Sequence, residues 1–177
     1  MSRTLCVYCS SNGSINPEYA DAARELGVEI VARGWHLVYG GTTAGLMGVL
    51  ADTVINAGGR VTGVIPDHIG QRGIAHPNLT ELIVTADMRE RKAIMDLRAD
   101  AFLALPGGLG TLEEVFEVLT SKQLGLHSRP IVFVSTRNFY LPLDELLDRL
   151  IEERFARPES ARLYHFAESP AAALDYI

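Results

Sequence analysis

Several things are scarce in this chain, and each scarcity closes off a class of reading. It has two cysteines and two lysines, Lys92 and Lys122, among 177 residues. No apolar run approaches the roughly 20 residues needed to cross a bilayer, so no membrane segment is expected. The start, Met1-Ser2-Arg3-Thr4-Leu5, passes at once into a strand-like run; no signal peptide is read there, and the cytoplasm is the expected location. His36, His68, His76, His127 and His165 are scattered, with no H-x-x-x-H spacing and no Cys/His cluster, so neither a metal nor another cofactor is expected. There is no G-x-S-x-G, and spacing places no Ser/His/Asp triad. Positive charge is short as well. The net charge of −6 argues against a general nucleic-acid or membrane-surface binder, so an anionic ligand must be met by a local pocket. No linker, repeat or low-complexity stretch interrupts the sequence.

The two cysteines, Cys6 and Cys9, form a C-x-x-C, but they lie along Leu5-Cys6-Val7-Tyr8-Cys9, a strand-like run. A redox pair needs a helix start that stabilises a thiolate. Residues three apart on a strand face opposite ways, so these read as two reduced thiols in a first strand.

What is present is an alternation of apolar strands and amphipathic helices. At 47% hydrophobic residues the chain is expected to form one domain, residues 1–177, around a single core. Strands are read at residues 3–9, 35–39, 60–65, 81–84, 101–105 and 130–134. Helices run from Pro17 to about Arg33, from Leu46 to Gly58-Gly59, from Asp87 to about Arg98, from the 106–114 turn to about Leu124, and from Leu143 to Phe155. Leu146, Leu147, Leu150 and Ile151 share one side of that last helix. The tail from Arg157 holds a short extended piece and a last short helix. Residues 66–79, around Gly70 and Gly73, read as an irregular loop of a length that often forms a lid or wall. Strands alternating with helices predict an α/β fold: a Rossmann-like, doubly wound parallel sheet covered on both faces. Right-handed crossovers then gather Cys9–Gly13, Gly40–Gly45, Ala86–Arg89 and Pro106–Thr111 along the ligand-binding edge.

Two of those loops are rich in glycine. Pro106-Gly107-Gly108-Leu109-Gly110-Thr111-Leu112-Glu113-Glu114 compresses a strand end, a turn and a helix start into one segment. Bare main chain lets a ligand approach, and first-turn N–H groups at the positive end of a helix dipole suit a phosphate. No Lys-Thr or Lys-Ser follows, so this is not a P-loop. Gly40-Gly41-Thr42-Thr43-Ala44-Gly45 is the second such turn. The pair points to a nucleotide or sugar phosphate, against the plainer reading that the glycines only permit tight turns.

Two charged residues stand out on helical wheels. Leu112, Val115, Phe116 and Leu119 form a core stripe, and Glu114 points nearly opposite, toward crevice or solvent. The plainer reading is a capping box, with Thr111 as N-cap and Glu114 three residues on. Arg91 falls within the stripe of Met88, Ile94 and Met95, where a cation must be paired, with a ligand or with Glu114 itself. Ser10 and Ser11, after the first strand, either donate to a ligand or are simply loop polarity.

Three segments together resemble one family. The P-G-G-L-G-T-L-E-E segment at 106–114 is similar to its P-G-G-x-G-T-x-x-E signature. Met88-Arg89-Glu90-Arg91-Lys92 is similar to its M-x-x-R-K segment, and Gly40 to Gly48 to its glycine-rich loop ending in G-L-M-G. The family is the LONELY GUY group, the cytokinin riboside 5′-monophosphate phosphoribohydrolases, whose members have often been labelled lysine decarboxylases. The likeness runs from the first strand to about Pro130.

The resemblance implies a homodimer that hydrolyses a nucleoside 5′-monophosphate to free base and ribose 5-phosphate without metal or redox cofactor. It implies Arg91 and Glu114 as the catalytic pair. As substrate contacts it implies Lys92, Thr120 and the segment Gly108, Leu109, Gly110, Thr111, Leu112 and Glu113. Gly107, Gly40, Gly41, Gly45, Met88, Ser10 and Ser11 complete the candidate substrate-binding set. Thr42 stands where a third glycine is common, and Arg89 where histidine is common. Two alternatives stand beside this reading. One is a non-catalytic nucleotide-binding or carrier protein on the same fold. The other is a decarboxylase, which needs pyridoxal phosphate on a lysine; neither Lys92 nor Lys122 has a context that suggests a Schiff base.

Overall fold

Every residue of Ala101–Ala104 and Ile131–Val134 is buried, as happens when both faces of a sheet are covered. The computed structural model, which describes residues 2–177, places these runs inside a seven-stranded sheet. The strands are β1 (Thr4–Tyr8), β2 (His36–Tyr39), β3 (Arg60–Pro66), β4 (Glu81–Thr85), β5 (Ala101–Ala104), β6 (Ile131–Val134) and β7 (His165–Ala167). Their order is β4-β3-β2-β1-β5-β6-β7, and every pairing is parallel. The expected doubly wound Rossmann-like α/β fold is what forms. The extended piece read in the tail is β7, the seventh strand, added at the edge beside β6.

The helices are α1 (Pro17–Ala32), α2 (Gly45–Asn56), α3 (Asp67–Ile69), α4 (Met88–Arg98), α5 (Leu109–Gln123), α6 (Leu141–Glu152) and α7 (Pro170–Tyr176). Two apolar clusters cover the two faces of the sheet. On one, Ala23, Leu26 and Ile30 of α1, Leu50 and Val54 of α2 and Leu174 of α7 pack on Leu5, Leu37 and Leu103. On the other, Met95 of α4 and Val115 and Leu119 of α5 pack on Cys6, Val38 and Phe102. Cys6 and Cys9 fall in different clusters, as period two along a strand requires. Both thiols are free and buried, and burial pushes Cys6 up to about 12, the reverse of a redox cysteine.

Three local expectations are corrected. The segment after β3 is not irregular: α3 leads into a π-helical turn, Gly70–Ile74, that contains Gly73 at φ 72°. Glycine and proline content reads as an irregular loop in sequence, yet here Gly73 supplies the one left-handed residue that lets the turn end. Helix α5 starts two residues before Thr111, so Thr111 is not an N-cap and no capping box forms. In α6, Leu147 is buried but Leu146 is exposed, because the apolar side is narrower than the spacing suggested.

The strand order reverses at β1, which pairs with β2 on one side and β5 on the other. The loops leaving β1 and β5 therefore diverge toward opposite faces and open a crevice at the carboxyl edge.

Candidate active site

The crevice at that edge is a cavity of about 470 Å³, within the range of small-molecule sites. The loop after β1 contributes Cys9, Ser10, Ser11 and Asn12 to its wall. The turn after β2 and the first part of α2 contribute Gly40, Thr42, Ala44 and Met47. Ile65, Pro66, Ile69, Arg72 and Ile74, from the end of β3 and the turns after it, form a third side. Met88 and Arg91 of α4 and Gly108, Leu109, Gly110, Thr111 and Glu114 close the fourth.

Arg91 is set by the start of α4. The Asp87 carboxylate accepts from the Arg89 and Glu90 backbone N–H groups at 2.8 and 2.9 Å, and the helix begins there. One turn on, Arg91 faces the sheet at 5% exposure. Its Nε donates to the Val64 carbonyl at 3.0 Å, and Nη1 donates to Glu114 Oε1. Nη2 lies against Gly40, where a Cβ would fall 2.5 Å from it. A side chain at position 40 would thus occupy the space the guanidinium needs.

Glu114, also 5% exposed, meets Arg91 between α4 and α5. Burial raises its carboxyl above the ordinary glutamate value, and the attraction and hydrogen bond of Arg91 offset part of that rise. The outcome is a carboxyl wall group less readily ionised than a surface glutamate.

The N-terminus of α5 has no side-chain cap at Gly108, and that of α2 has none at Ala44; both positions line the cavity. By contrast α4 is capped by Asp87 and α1 by Asn16. An uncapped helix start leaves its first N–H groups free for an anion. The flanking loops are fixed to one another: Ser10 N–H donates to the Pro106 carbonyl at 3.3 Å, and Leu46 N–H donates to the Ser10 carbonyl at 2.9 Å. The Ser10 hydroxyl accepts from Asn12 N–H at 3.0 Å, closing a local turn, while Ser11 is exposed to the cavity.

Of the residues singled out in sequence, Arg91, Glu114, Gly108, Leu109, Gly110, Thr111, Ser10, Ser11, Gly40 and Met88 meet at the cavity. Lys92, Gly107, Leu112, Glu113, Thr120, Gly41 and Gly45 do not line it. Lys92 is paired with Glu113 and Glu117 on the outer side of the α4–α5 contact. It lines a smaller cavity of about 180 Å³ that also reaches Glu114, with Tyr8 and Asp96. Leu112 packs into the core, and the Thr120 hydroxyl donates back to the Phe116 carbonyl at 2.8 Å. Gly107 sits over Thr111, Gly41 over Val64 and Ile65, and Gly45 over the backbone of Ser11 and Asn12. These three glycines shape the turns behind the wall. Of the wall residues not singled out, Arg72 and Ile74 were hidden in the segment read as a loop; the suggestion that this loop forms a wall was the only signal for them.

Neither lysine lines the cavity. Hydrogen bonds from Lys92 to Glu113 and then Glu117 hold its ammonium above the ordinary value, opposite to what a Schiff-base lysine needs. Among the described residues no three His, Cys, Asp or Glu stand together as metal ligands, and no helix is long and apolar enough to cross a membrane.

A family model described as possible lysine decarboxylase matches residues 47–177. The chain is 42% identical over 175 residues to the probable cytokinin riboside 5′-monophosphate phosphoribohydrolase LOGL2 of Oryza sativa subsp. japonica, covering 99% of this chain and 72% of that protein. It is 42% identical over 167 residues to the cytokinin riboside 5′-monophosphate phosphoribohydrolase LOG1 of Arabidopsis thaliana, covering 94% of this chain and 78% of that one. Among solved structures, it is similar to the molybdenum cofactor binding protein from Rippkaea orientalis, with a TM-score of 0.78, 24% identity and coverage of 99% and 95%. That likeness is one of fold alone. The Moco carrier protein from Chlamydomonas reinhardtii is similar at a TM-score of 0.74 and 25% identity, with the same coverage of 99% and 95%.

Proposed function

The chain belongs to the family of cytokinin riboside 5′-monophosphate phosphoribohydrolases, and on that premise we propose that it hydrolyses the N-glycosidic bond of adenosine 5′-monophosphates, N6-modified ones included, to the free base and ribose 5-phosphate. The observation that carries this reading is the buried Arg91–Glu114 pair in one wall of a cavity that also holds an uncapped helix start.

In this reading the N–H groups of Leu109, Gly110 and Thr111, with the α5 dipole behind them, seat the phosphate and so fix the ribose. The bond from C1′ to the base nitrogen breaks with its electron pair leaving on the base, and positive charge builds on C1′ and the ring oxygen. The Glu114 carboxylate stabilises that charge and orients a water, whose oxygen bonds to C1′ while its proton passes by way of the carboxylate to the departing base nitrogen, which leaves the carboxylate ionised again. Arg91 is anchored by Val64 and holds Glu114 in place at the wall. Glu114 and Arg91 are therefore the proposed catalytic pair, and Gly108 to Thr111, Ser11, Gly40 and Met88 the proposed substrate contacts.

The proposed assembly is a homodimer. Supporting it, Leu97, Leu124 and Leu126 at the ends of α4 and α5 are 85%, 70% and 74% exposed, apolar side chains of the kind a partner would cover.

The carrier proteins among the similar structures favour a second reading, a nucleotide carrier without turnover. Incubating the protein with adenosine monophosphate and an N6-prenylated analogue separates the two. Free base appearing with ribose 5-phosphate in equal amounts supports the hydrolase; tight nucleotide binding with neither product supports the carrier.

A further inference from the structure

Three charged side chains line the main cavity: Arg72, Arg91 and Glu114. The charge of Arg91 is matched by that of Glu114, its direct partner. A phosphate monoester brings about −1.5 to −2 charges at neutral pH. Each of the two uncapped helix starts offers only about half a positive charge against it, short of that total even together. The chain as a whole adds none, at −6. One further cation is needed, and Arg72 is the one the wall contains.

Arg72 is also uncommitted. It is exposed, and none of the ion pairs among the described residues takes it in. It sits on the π-helical turn Gly70–Ile74, whose far end is firmly pinned. There Thr43 N–H donates to the Ile74 carbonyl at 3.0 Å, His76 N–H donates to the Gly41 carbonyl at 2.9 Å, and the buried His76 ring meets Asp52 at 3.1 Å. Between the ends the side-chain bond within the turn is Gln71 to Asp67. Gly70 and Gly73 flank the arginine, and a Cβ at Gly73 would touch nothing. The arginine thus rides on a tethered but loosely packed strap over the mouth, with a planar fork that suits phosphate.

We infer that Arg72 is the cation that meets the phosphate of the bound nucleotide and sets the preference for nucleoside monophosphates over unphosphorylated nucleosides. This rests on the phosphoribohydrolase reading for the identity of the ligand, and the test separates the two. Affinities of the whole protein for adenosine monophosphate, ribose 5-phosphate and adenosine are measured by calorimetry for wild type, Arg72→Gln and Arg72→Lys.

Arg72→Gln should weaken both phosphorylated ligands about tenfold or more, as loss of a charge-assisted contact does. Adenosine should change by less than about twofold on the same scale. Arg72→Lys should recover part of the loss, and KM should move far more than kcat. The melting temperature should hold, since the Arg72 side chain enters no ion pair among the described residues. Unchanged affinity for adenosine monophosphate would overturn the inference. So would an equal loss for adenosine, which would place Arg72 on the base or sugar. Wild type that binds neither phosphorylated ligand would overturn both readings. Arg72-dependent binding without release of base from any nucleoside monophosphate would leave the phosphate site standing and remove the hydrolase.

Discussion

Arg91 of α4 and Glu114 of α5 meet as a buried ion pair, each 5% exposed, with the arginine also held by the Val64 carbonyl. Two helices that follow different strands are joined through their only charged buried side chains, and the joint is also a wall of the cavity.

Breaking that pair from one side should be costly. Arg91→Met leaves a carboxyl buried without its partner, and about 3 to 5 kcal/mol of stability should be lost. The double change Arg91→Met with Glu114→Leu should recover most of it while remaining inactive. Denaturant unfolding of wild type and the two variants checks this; a double variant no more stable than Arg91→Met would contradict it.

Acid should affect activity and stability with opposite signs. Burial holds Glu114 above its ordinary value of 4.5. Base release needs the carboxylate, so kcat/KM should fall as pH drops through a midpoint above that value. A carboxyl whose folded value is raised contributes stability below its unfolded value and loses it as pH rises through the folded one. Glu114→Gln should therefore lose less stability than wild type over that window. A pH–rate profile and melts across the same range test both signs.

Gly40 leaves the space that Arg91 Nη2 occupies. Gly40→Ala should displace the guanidinium, costing about 1 to 3 kcal/mol as overpacking does. The fall in kcat should exceed that of the neighbouring Ser11→Ala. Paired melts and initial rates measure it.

If the exposed leucines at the ends of α4 and α5 form the dimer contact, sedimentation should give a two-chain mass for wild type. Leu97→Asp combined with Leu126→Asp should give a one-chain mass, with the melt of the monomer still cooperative. A wild-type protein that sediments as one chain at micromolar concentration contradicts the assembly.

The helical wheel was enough to single out Arg91 and Glu114, because burial on a helix follows a fixed period that the apolar neighbours mark. The parallel sheet was legible for the same reason: apolar runs buried on both faces have no alternation. The sequence carried less about the wall. Thr111-Leu112-Glu113-Glu114 has the letters of a capping box, but the helix begins two residues sooner, and the chain enters it with Gly108 extended at φ −92° and ψ −157°. Lys92 lies next to Arg91 yet faces outward, where Glu113 and Glu117 hold it; adjacent residues on a helix point about 100° apart. Arg72 was obscured because Gly70 and Gly73 mark a break in any local reading. Whether such a segment is loose or folds over a site depends on distant pins such as His76 and Asp52. The position of β7 beside β6 is likewise a tertiary fact, carried by pairing and not by its three residues.

The most direct test compares wild type with Glu114→Gln, reading adenosine monophosphate binding and release of free base in the same samples. Wild type should bind and release base with an equal amount of ribose 5-phosphate, while the variant binds with similar affinity and releases base at least about a hundredfold more slowly. Equal rates from both proteins, or binding by wild type with no product at all, would contradict the account.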